Sequence, residues 1–456
     1  MTILEPAREI EIIDRVDVLV VGGCPAGVCA AVVAARFGSR TFLIERHGFL
    51  GGMWTAGMVL TLAGFNSWLQ PYSRCVRGIA GEWLARAAAL GGAEDNESWV
   101  VNSDVETMKL VADALLEDAG VKCLFHTWGA WPIVQDRSVK GVFVENKDGR
   151  RAILAGVTVD CTGDGDIFTH AGAPGEKNES LQPMTMPFRI GNVQLDPRID
   201  IREPVRIPIG PQATTLREPL LSQYASRRHD VKFDKEAMQR AREHGGLPTY
   251  GGPWWGGLEK DIAWVNTTRV YGDASNAADL TRAEIEARKN VFALMAYFKK
   301  HLPGFEDARL LHTSAQIGIR ETRRLVGEYT LTSSDIQNSA NFPDSIAIGC
   351  WPIDVHPSQG QVGVHAMFVP LPYKIPYRCL IPQKITGILA GGRCISVDRQ
   401  ALGSTRVGAT CAALGHAAGI AGALAARDHV EPREIDVKRL RAELIAQHAI
   451  VEPPKE

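Results

Sequence analysis

The sequence predicts an α/β fold: helices wound around a parallel sheet that ends in a glycine-rich turn, interrupted by an inserted α+β domain. Three observations carry that prediction. The chain opens on a glycine-punctuated strand-to-helix turn, "VDVLVVGGCPAGVCAA" (16–31). The same pattern, strand then glycines then small-residue helix, returns in "TGILAGG" (386–392) and "GATCAALGHAAGIAGALAAR" (408–427). Between them, residues 186–372 change character, with prolines, tryptophans and Gly-Gly loops such as "YGGPWWGG" (250–257).

Taken in order, "VDVLVVGG" is β-branched and nearly continuously apolar, the pattern of a parallel strand buried on both faces. "AGVCAAVVAARFGS" reads as an alanine-rich helix ending near Gly38, and "RTFLIER" (40–46) as the next strand, closing on Glu45. "GFLGGMWTAGMV" (48–59) then brings a second glycine pair, Gly51 and Gly52. Helices are expected over "RGIAGEWLARAAALGG" (77–92) and from Ser103–Asp104 into "VETMKLVADALLEDAG", where either polar residue suits an N-cap. Extended runs at 121–127, 130–136, 138–151 and 153–166 follow, with a "KDG" hairpin turn at 147–149. A helix over 280–302 lies in the insert. The resulting boundaries are a first part at 14–185, the insert at 186–372 and a return segment at 373–445.

Composition narrows the function classes. A chain of 456 residues is too long for one simple core and suits two intertwined domains. A net charge of −2 leaves no basic footprint for nucleic acid and no pull toward acidic membranes. No uninterrupted apolar run approaches the roughly 20 residues of a membrane span. "MTILEPAREIEIIDR" mixes both charges and lacks the pattern of a signal peptide, so a cytoplasmic enzyme is expected. The nine cysteines are scattered without a C-x-x-C pair, which argues against zinc, iron–sulfur clusters and a disulfide framework. No metal site is expected. G-x-S-x-G, H-E-x-x-H and P-loop motifs are absent, as is a second dinucleotide fingerprint.

The opening turn carries most of the chemistry. A strand-to-helix turn aims backbone N–H groups and a positive helix end at a pyrophosphate. G-x-G-x-x-G is met by Gly22, Cys24 and Gly27, with a small cysteine where the middle glycine lets a phosphate approach. A displaced phosphate is expected, not a lost site. Glu45 lies 23 positions after Gly22, the spacing of an acid that hydrogen-bonds a ribose. In "GIRETRR", Arg320, Arg323 and Arg324 flank Glu321; each suits a substrate carboxylate or phosphate, or an internal ion-pair network. Arg320 is the preferred substrate contact. Asp354 and His356 in "PIDVH" suit an orienter and proton carrier, or a structural histidine. Tyr373 and Tyr377 are candidate pocket walls. Trp254 and Trp255 suit either substrate stacking or the pinning of a loop.

Six segments together resemble the FAD-dependent oxidoreductase family of the glutathione-reductase-like superfamily, which includes relatives of tricarballylate dehydrogenase. They are "VDVLVVGGCPAGVCAA", "LIERHGFLGGMWTAGMV", "VDCTGDGDIFTHAGAP" (159–174), "IGIRETRRLVGEYTLTSSDI" (317–336), "WPIDVH" (351–356) and the run from "PYKIPYRCLIP" through "ILAGGRCIS" to "ALGSTRVGATCAALGHAAGIAGALA". They span residues 14–426, and Cys24 is the departure from the family's usual glycine.

The resemblance implies a Rossmann-like, three-layer FAD-binding domain around the inserted substrate domain. It implies non-covalent FAD, with Gly22, Cys24, Pro25, Ala26 and Gly27 around the pyrophosphate and Glu45 and Arg46 at the adenosine ribose. Gly51 and Gly52 would lie along the ribityl stretch, and Met53, Trp54 and Thr55 would begin the flavin wall. Thr162, Gly163 and Asp164 would turn beside the cofactor, Gly392 and Arg393 would return to it, and Arg406 and Val407 would open a helix toward the flavin. For Asp166, turn-forming and direct contact stay open, and nothing around His47 argues for a covalent flavin.

The expected reaction is hydride transfer between flavin N5 and a small polar organic substrate, anionic if Arg320 meets it, with His356 moving a proton. An oxygen-using oxidase or hydroxylase is the alternative. An electron-carrier subunit and an RNA modifier lose weight on the cysteine pattern and the charge. A homo-oligomer is left open.

Overall fold

The computed structural model of the chain describes residues 2–95, 98–194, 231, 234–259, 261–359 and 366–454. Its larger core grows from β1 (Ile12–Val21), α1 (Pro25–Arg36) and β2 (Thr41–Ile44). Val18, Leu19 and Val20 are wholly buried, which explains why their run is apolar without alternation. β1 and β2 pair in parallel, Val18 opposite Thr41 and Val21 opposite Ile44. A short ribbon, β3 (Thr61–Ala63) with β4 (Val100–Asn102), stands off this sheet. β5 (Lys122–Leu124) extends the sheet in parallel beside β2.

β6 (Trp128–Gln135), β7 (Ser138–Asn146) and β8 (Gly149–Asp160) form a meander, with the expected turn between the last two. β8 also pairs in parallel with β1 and, at its end, with the strand Ile388–Ala390. The spatial order is β5-β2-β1-β8-β7-β6. The parallel strands therefore direct their C-terminal ends, and the turns that follow them, toward one edge. The sequence-expected helices appear at Ile79–Ala89 and Val105–Ala119, the second capped by Asp104, whose carboxylate accepts the Thr107 amide at 2.9 Å.

The helix Gly408–Asp428 lies across α1 so closely that a Cβ on Gly415 would fall 2.0 Å from the Ala26 carbonyl oxygen. Only a glycine permits that approach. At 21 residues this helix reaches the length and composition of a membrane span, which corrects the expectation that no stretch comes near it. Its small side chains, alanine and glycine above all, concealed the run. In the fold it is an interior helix of the larger core, buried from Ala409 to Ala425 except at Ala413.

A second core runs from Met184 to Ile319. It joins an antiparallel sheet, with strands at Phe188–Gly191, Tyr250–Gly256, Ile262–Thr268 and Arg309–Thr313, to the helix Ala277–His301. Ala283, Ala287, Val291, Leu294 and Phe298 place one apolar stripe of that helix on the core. The expected end of the insert at 372 does not match this packing. Leu325, Leu331, Ile336, Ile346 and Ile353 belong to the larger core, so the chain has returned by about residue 325. Loop-rich composition marked the change in texture, but composition does not say which core a loop's apolar residues join. Residues 195–230 and 360–365 of the expected insert lie outside the described residues.

Candidate active site

One long cleft runs along the edge where the parallel strands end, and it continues between the two cores. It is lined by Glu45, Arg46 and Trp128, by Gly22, Cys24, Gly163 and Arg393 around the opening turn, and by Thr61, Thr185, Asn266, Arg320, Arg406 and Gly408.

The opening turn follows from backbone sterics. Gly22 has φ +102°, and a Cβ there would strike the Cys161 carbonyl oxygen at 2.5 Å. A Cβ on Gly27 would fall 1.8 Å from the Gly22 carbonyl oxygen, so Gly27 permits close packing of α1 on the turn and is not itself a cleft wall. Cys24 sits at the N-cap of α1 without capping it by its side chain, and Pro25 follows with no N–H to satisfy. Its thiol donates to the Cys161 carbonyl oxygen at 3.3 Å. The Cys161 thiol, then the amides of Gly27 and Ala26 against the effect of burial, draw the Cys24 thiol below the ordinary cysteine value. The space its Cβ needs is found across the turn, where a Cβ on Gly52 would lie 2.7 Å from that of Cys24. A cysteine in the middle position is thus accommodated by a glycine 28 residues later (52 − 24).

Glu45 is buried at the end of β2, with Oε2 accepting the Gly23 amide at 2.6 Å and Oε1 the His47 amide at 2.8 Å. Each oxygen keeps a lone pair for a further donor. The Arg46 guanidinium lies 5.3 Å from the Trp128 ring centre, and the His47 ring engages Gln316 at 2.8 Å. The "CTGDGD" turn hangs on Asp160, which the sequence reading passed over. Its buried carboxylate accepts from the Thr162 amide and hydroxyl and from the amides of Ile167 and Phe168. Burial raises its pKa against those donors. Asp164 accepts from Arg393 and from the Thr322 hydroxyl, both at 2.6 Å. Burial opposes the Arg393 charge, but Asp164 more than offsets it and holds that pKa above the ordinary arginine value. Asp166 reaches the cleft and pairs with Arg323; burial, then the charges of Asp164 and Asp160, raise its pKa to about 6.

The three arginines of "GIRETRR" part company. Arg324 bonds to Glu321, Asn178 and the Val397 carbonyl, an internal network. Arg323 braces Asp166 and the Asp164 carbonyl. Arg320 lies on the cleft wall, its Nη1 donating to the Pro183 carbonyl at 2.7 Å and the Thr185 hydroxyl at 2.6 Å.

Other sequence candidates are placed elsewhere. Tyr373 and Tyr377 are not pocket walls. Both are buried in the larger core, the first bonded to Ser404 at 2.5 Å and the second to the Pro432 carbonyl at 2.7 Å, because a phenol can bury its ring wherever one polar partner meets its hydroxyl. His356 and Asp354 do not line the cleft either. They stand behind Arg406, whose Nη2 donates to Asp354 Oδ2 at 3.1 Å, while His356 Nε2 lies 3.6 Å from the same carboxylate oxygen. Burial first, then the charge of Arg320, drives the His356 pKa well below its ordinary value.

Trp255 is a core residue against Phe298 and Phe305. Thr55 and Gly51 shape the second turn through bonds to the carbonyls of Leu50 and Gly23, and Gly392 and Ala26 pack against each other; none of the four faces the cleft. Conversely, Thr61, Thr185, Asn266, Gln316 and Trp128 line the cleft without having been singled out. They are isolated residues on strands and loops, and no local motif flags them.

Residues 17–444 match the family described as FAD dependent oxidoreductase. Among curated proteins, a thiamine thiazole synthase of Methanococcus vannielii is 29% identical over 158 residues, 33% of this chain and 56% of that protein. One from Methanococcus maripaludis is 29% identical over 180 residues, 38% of this chain and 64% of that protein. The chain thus spans less than two thirds of the length of these relatives. Among solved structures, a geranylgeranyl bacteriochlorophyll reductase-like protein of Thermoplasma acidophilum aligns at TM-score 0.47 and 13% identity, covering 96% of this chain and 84% of that one. A p-nitrophenol 4-monooxygenase of Pseudomonas putida aligns at 0.48 and 11%, covering 95% and 85%. The chain belongs to the FAD dependent oxidoreductase family, and FAD is its cofactor.

The residues present fit that cofactor. Two helices, α1 and Gly408–Asp428, begin at the cleft without a side-chain cap, leaving their first amides for an outside acceptor. A carboxylate with spare lone pairs, that of Glu45, lines the same cleft.

Proposed function

We propose that this FAD dependent oxidoreductase transfers a hydride equivalent between a small polar organic molecule and its flavin. The observation that supports this reading best is the continuity of the cleft, from Glu45 past the Gly22–Cys24 turn to a chamber walled by Thr61, Thr185, Asn266 and Arg320. In this reading Glu45 and Arg46 hold the adenosine end. Gly22, Cys24, Pro25, Thr162 and Gly163 hold the pyrophosphate, with Asp164 fixing Arg393 beside it. Met53, Trp54 and the start of the Gly408 helix flank the ring system. When bound, FAD supplies the hydride acceptor or donor at N5, chemistry that no protein side chain offers.

The protein's own residues do the rest. The uncapped start of the Gly408 helix places a positive dipole end at the chamber and favours negative charge there. Arg406, anchored by Asp354, adds a full charge beside it. His356 is neutral at pH 7 and sets the hydrogen bonding of Asp354 from behind, which makes it a positioning residue in place of the proton carrier expected from sequence.

The test begins with the visible spectrum of purified protein before and after denaturation. Flavin bands that pass into the supernatant are expected. Anaerobic addition of substrate candidates should then bleach the bands, with slow recovery in air. Fast recovery in air would replace the hydride-transfer reading with that of an oxygen-using oxidase or hydroxylase. A colourless protein that takes up no added FAD would remove it altogether.

A further inference from the structure

Four arginines are buried among the described residues: Arg189, Arg269, Arg320 and Arg324. Two of them are neutralised in the ordinary way, Arg189 by Glu259 at 2.6 Å and Arg324 by Glu321 at 3.4 Å. Arg269 and Arg320 have no carboxylate within ion-pair distance among the described residues. Both instead donate through Nη1 to one atom, the Thr185 hydroxyl oxygen, at 2.9 and 2.6 Å. The two Nη1 atoms are therefore no more than 5.5 Å apart (2.9 + 2.6). Thr185 gives its own proton to the Thr268 carbonyl at 2.8 Å, so its oxygen is fully used. The Nε and Nη2 of both arginines meet no described protein acceptor.

Like charges so close and so dry are costly unless an opposite charge joins them. Arg406, on the same wall, adds a third guanidinium, and its Nε is buried without a partner. Asp354 is its counter-charge, and it is already bonded to Arg406. Among the described residues, these three cations face one carboxylate, Asp354, with His356 held neutral beside them.

Resting on the reading above, we propose that the chamber is a binding site for a small organic dianion of the dicarboxylate class, with Arg320 contacting one carboxylate and Arg269 supplying charge from behind Thr185. The remaining walls suit the carbon skeleton of such a molecule: Met53, Val59 and Ala63 are apolar, and Asn266 offers a neutral hydrogen-bonding group. Planar guanidinium forks favour carboxylates held in pairs. Burial and mutual repulsion among Arg320, Arg269 and Arg406 push the Arg320 pKa well below its ordinary value, as expected of a site whose counter-charge comes from a ligand.

The experiment titrates the FAD-loaded protein at constant ionic strength with malonate, acetate, malonamide and inorganic phosphate, following the flavin difference spectrum. Malonate is expected to saturate, acetate to bind at least about tenfold more weakly, and malonamide to leave the spectrum unchanged. Arg320→Gln should weaken malonate binding at least about tenfold with FAD content unaltered, and Arg320→Lys should restore part of it.

No saturable malonate response would overturn the proposal, as would equal affinity in Arg320→Gln or tighter binding of phosphate. Loss of FAD from both arginine variants would assign the cluster to the cofactor and equally overturn it. If the wild-type protein takes up no FAD, the oxidoreductase reading fails by itself. Thermal stabilisation of the apo-protein by malonate over malonamide then still tests the anion site, and its absence overturns that site independently.

Discussion

Arg393 and Arg320 lie on one cleft and are buried to a similar degree, with side-chain exposure of 13% for the first and residue exposure of 9% for the second. Their surroundings are opposite. Arg393 is matched by Asp164 at 2.6 Å and holds its proton more firmly than a free arginine. Arg320 is matched by a carbonyl and a hydroxyl, and shares the hydroxyl with another cation. At the turn end of the cleft the protein balances its own charges, and backbone amides and glycine contacts are left to do the recognising. At the chamber end a balance is left open, so whatever enters completes it. The difference separates a site built to be shape-complete before its occupant arrives from one that is charge-complete only afterwards.

That comparison can be broken most directly by deleting the partner at the balanced end. Asp164→Ala leaves Arg393 buried and unpaired, for which about 3–5 kcal/mol of destabilisation is expected in denaturant unfolding of the apo-protein. Arg320→Met removes a buried cation that has no carboxylate partner among the described residues and should change apo stability by no more than about 1 kcal/mol, in either direction. Equal losses for the two variants would mean that both arginines are structural, and the contrast would be false.

A smaller effect concerns the turn itself. Because Gly52 already makes room for the Cys24 Cβ, Cys24→Gly should leave FAD affinity within about threefold of wild type or tighten it, as read by cofactor release on dilution. Gly52→Ala should weaken it much more, since the added Cβ would meet Cys24 at 2.7 Å. If Cys24→Gly lost activity with FAD retained, the thiol would have a role beyond fitting the turn.

The smallest expected effects are two pH dependences of opposite sign, one from each end. His356 is held neutral, its folded pKa depressed by burial and by Arg320, so its contribution to stability is present above the unfolded value near 6.5 and lost as pH falls below it. Asp166 is the reverse. Its folded pKa is raised to about 6, so its contribution is complete below the ordinary value of 3.8 and lost as pH rises through about 6. In apo-protein unfolding between pH 4 and 6.5, His356→Gln should flatten the acid-side loss, and Asp166→Asn should remove a loss on rising pH. A His356→Gln profile parallel to wild type would show that its surroundings do not hold the imidazole neutral.

Much of the turn end was legible in the residue string. Gly27 and Gly52 are demanded by contacts inside a few dozen residues, Gly22 by its own positive φ as well as by the distant Cys161 carbonyl, and Glu45 closes a strand whose apolar run is plain to read. The chamber end was not legible in the same way. Arg320 stood out by residue type, but Arg269, Thr185 and Asn266 sit singly in strands or beside them, where nothing in the local pattern separates a wall residue from a core one. Tyr373 and Tyr377 failed as pocket walls for the same reason. Their place just before the return to the cofactor domain suggested pocket walls, while Ser404 and the Pro432 carbonyl, far along the chain, made burial possible.

By itself, then, the sequence determined the α/β fold, the cofactor turn and the family, because the spacing of glycines in a turn and apolar periodicity are both written in short stretches of chain. Tertiary structure alone decided which buried charges are balanced. Asp164 and Arg393 are 229 residues apart, and Arg320 and Thr185 are 135 apart. Over such separations a charge has no local signature of its partner. Only the folded chain shows whether a carboxylate or the wall of a cleft faces it.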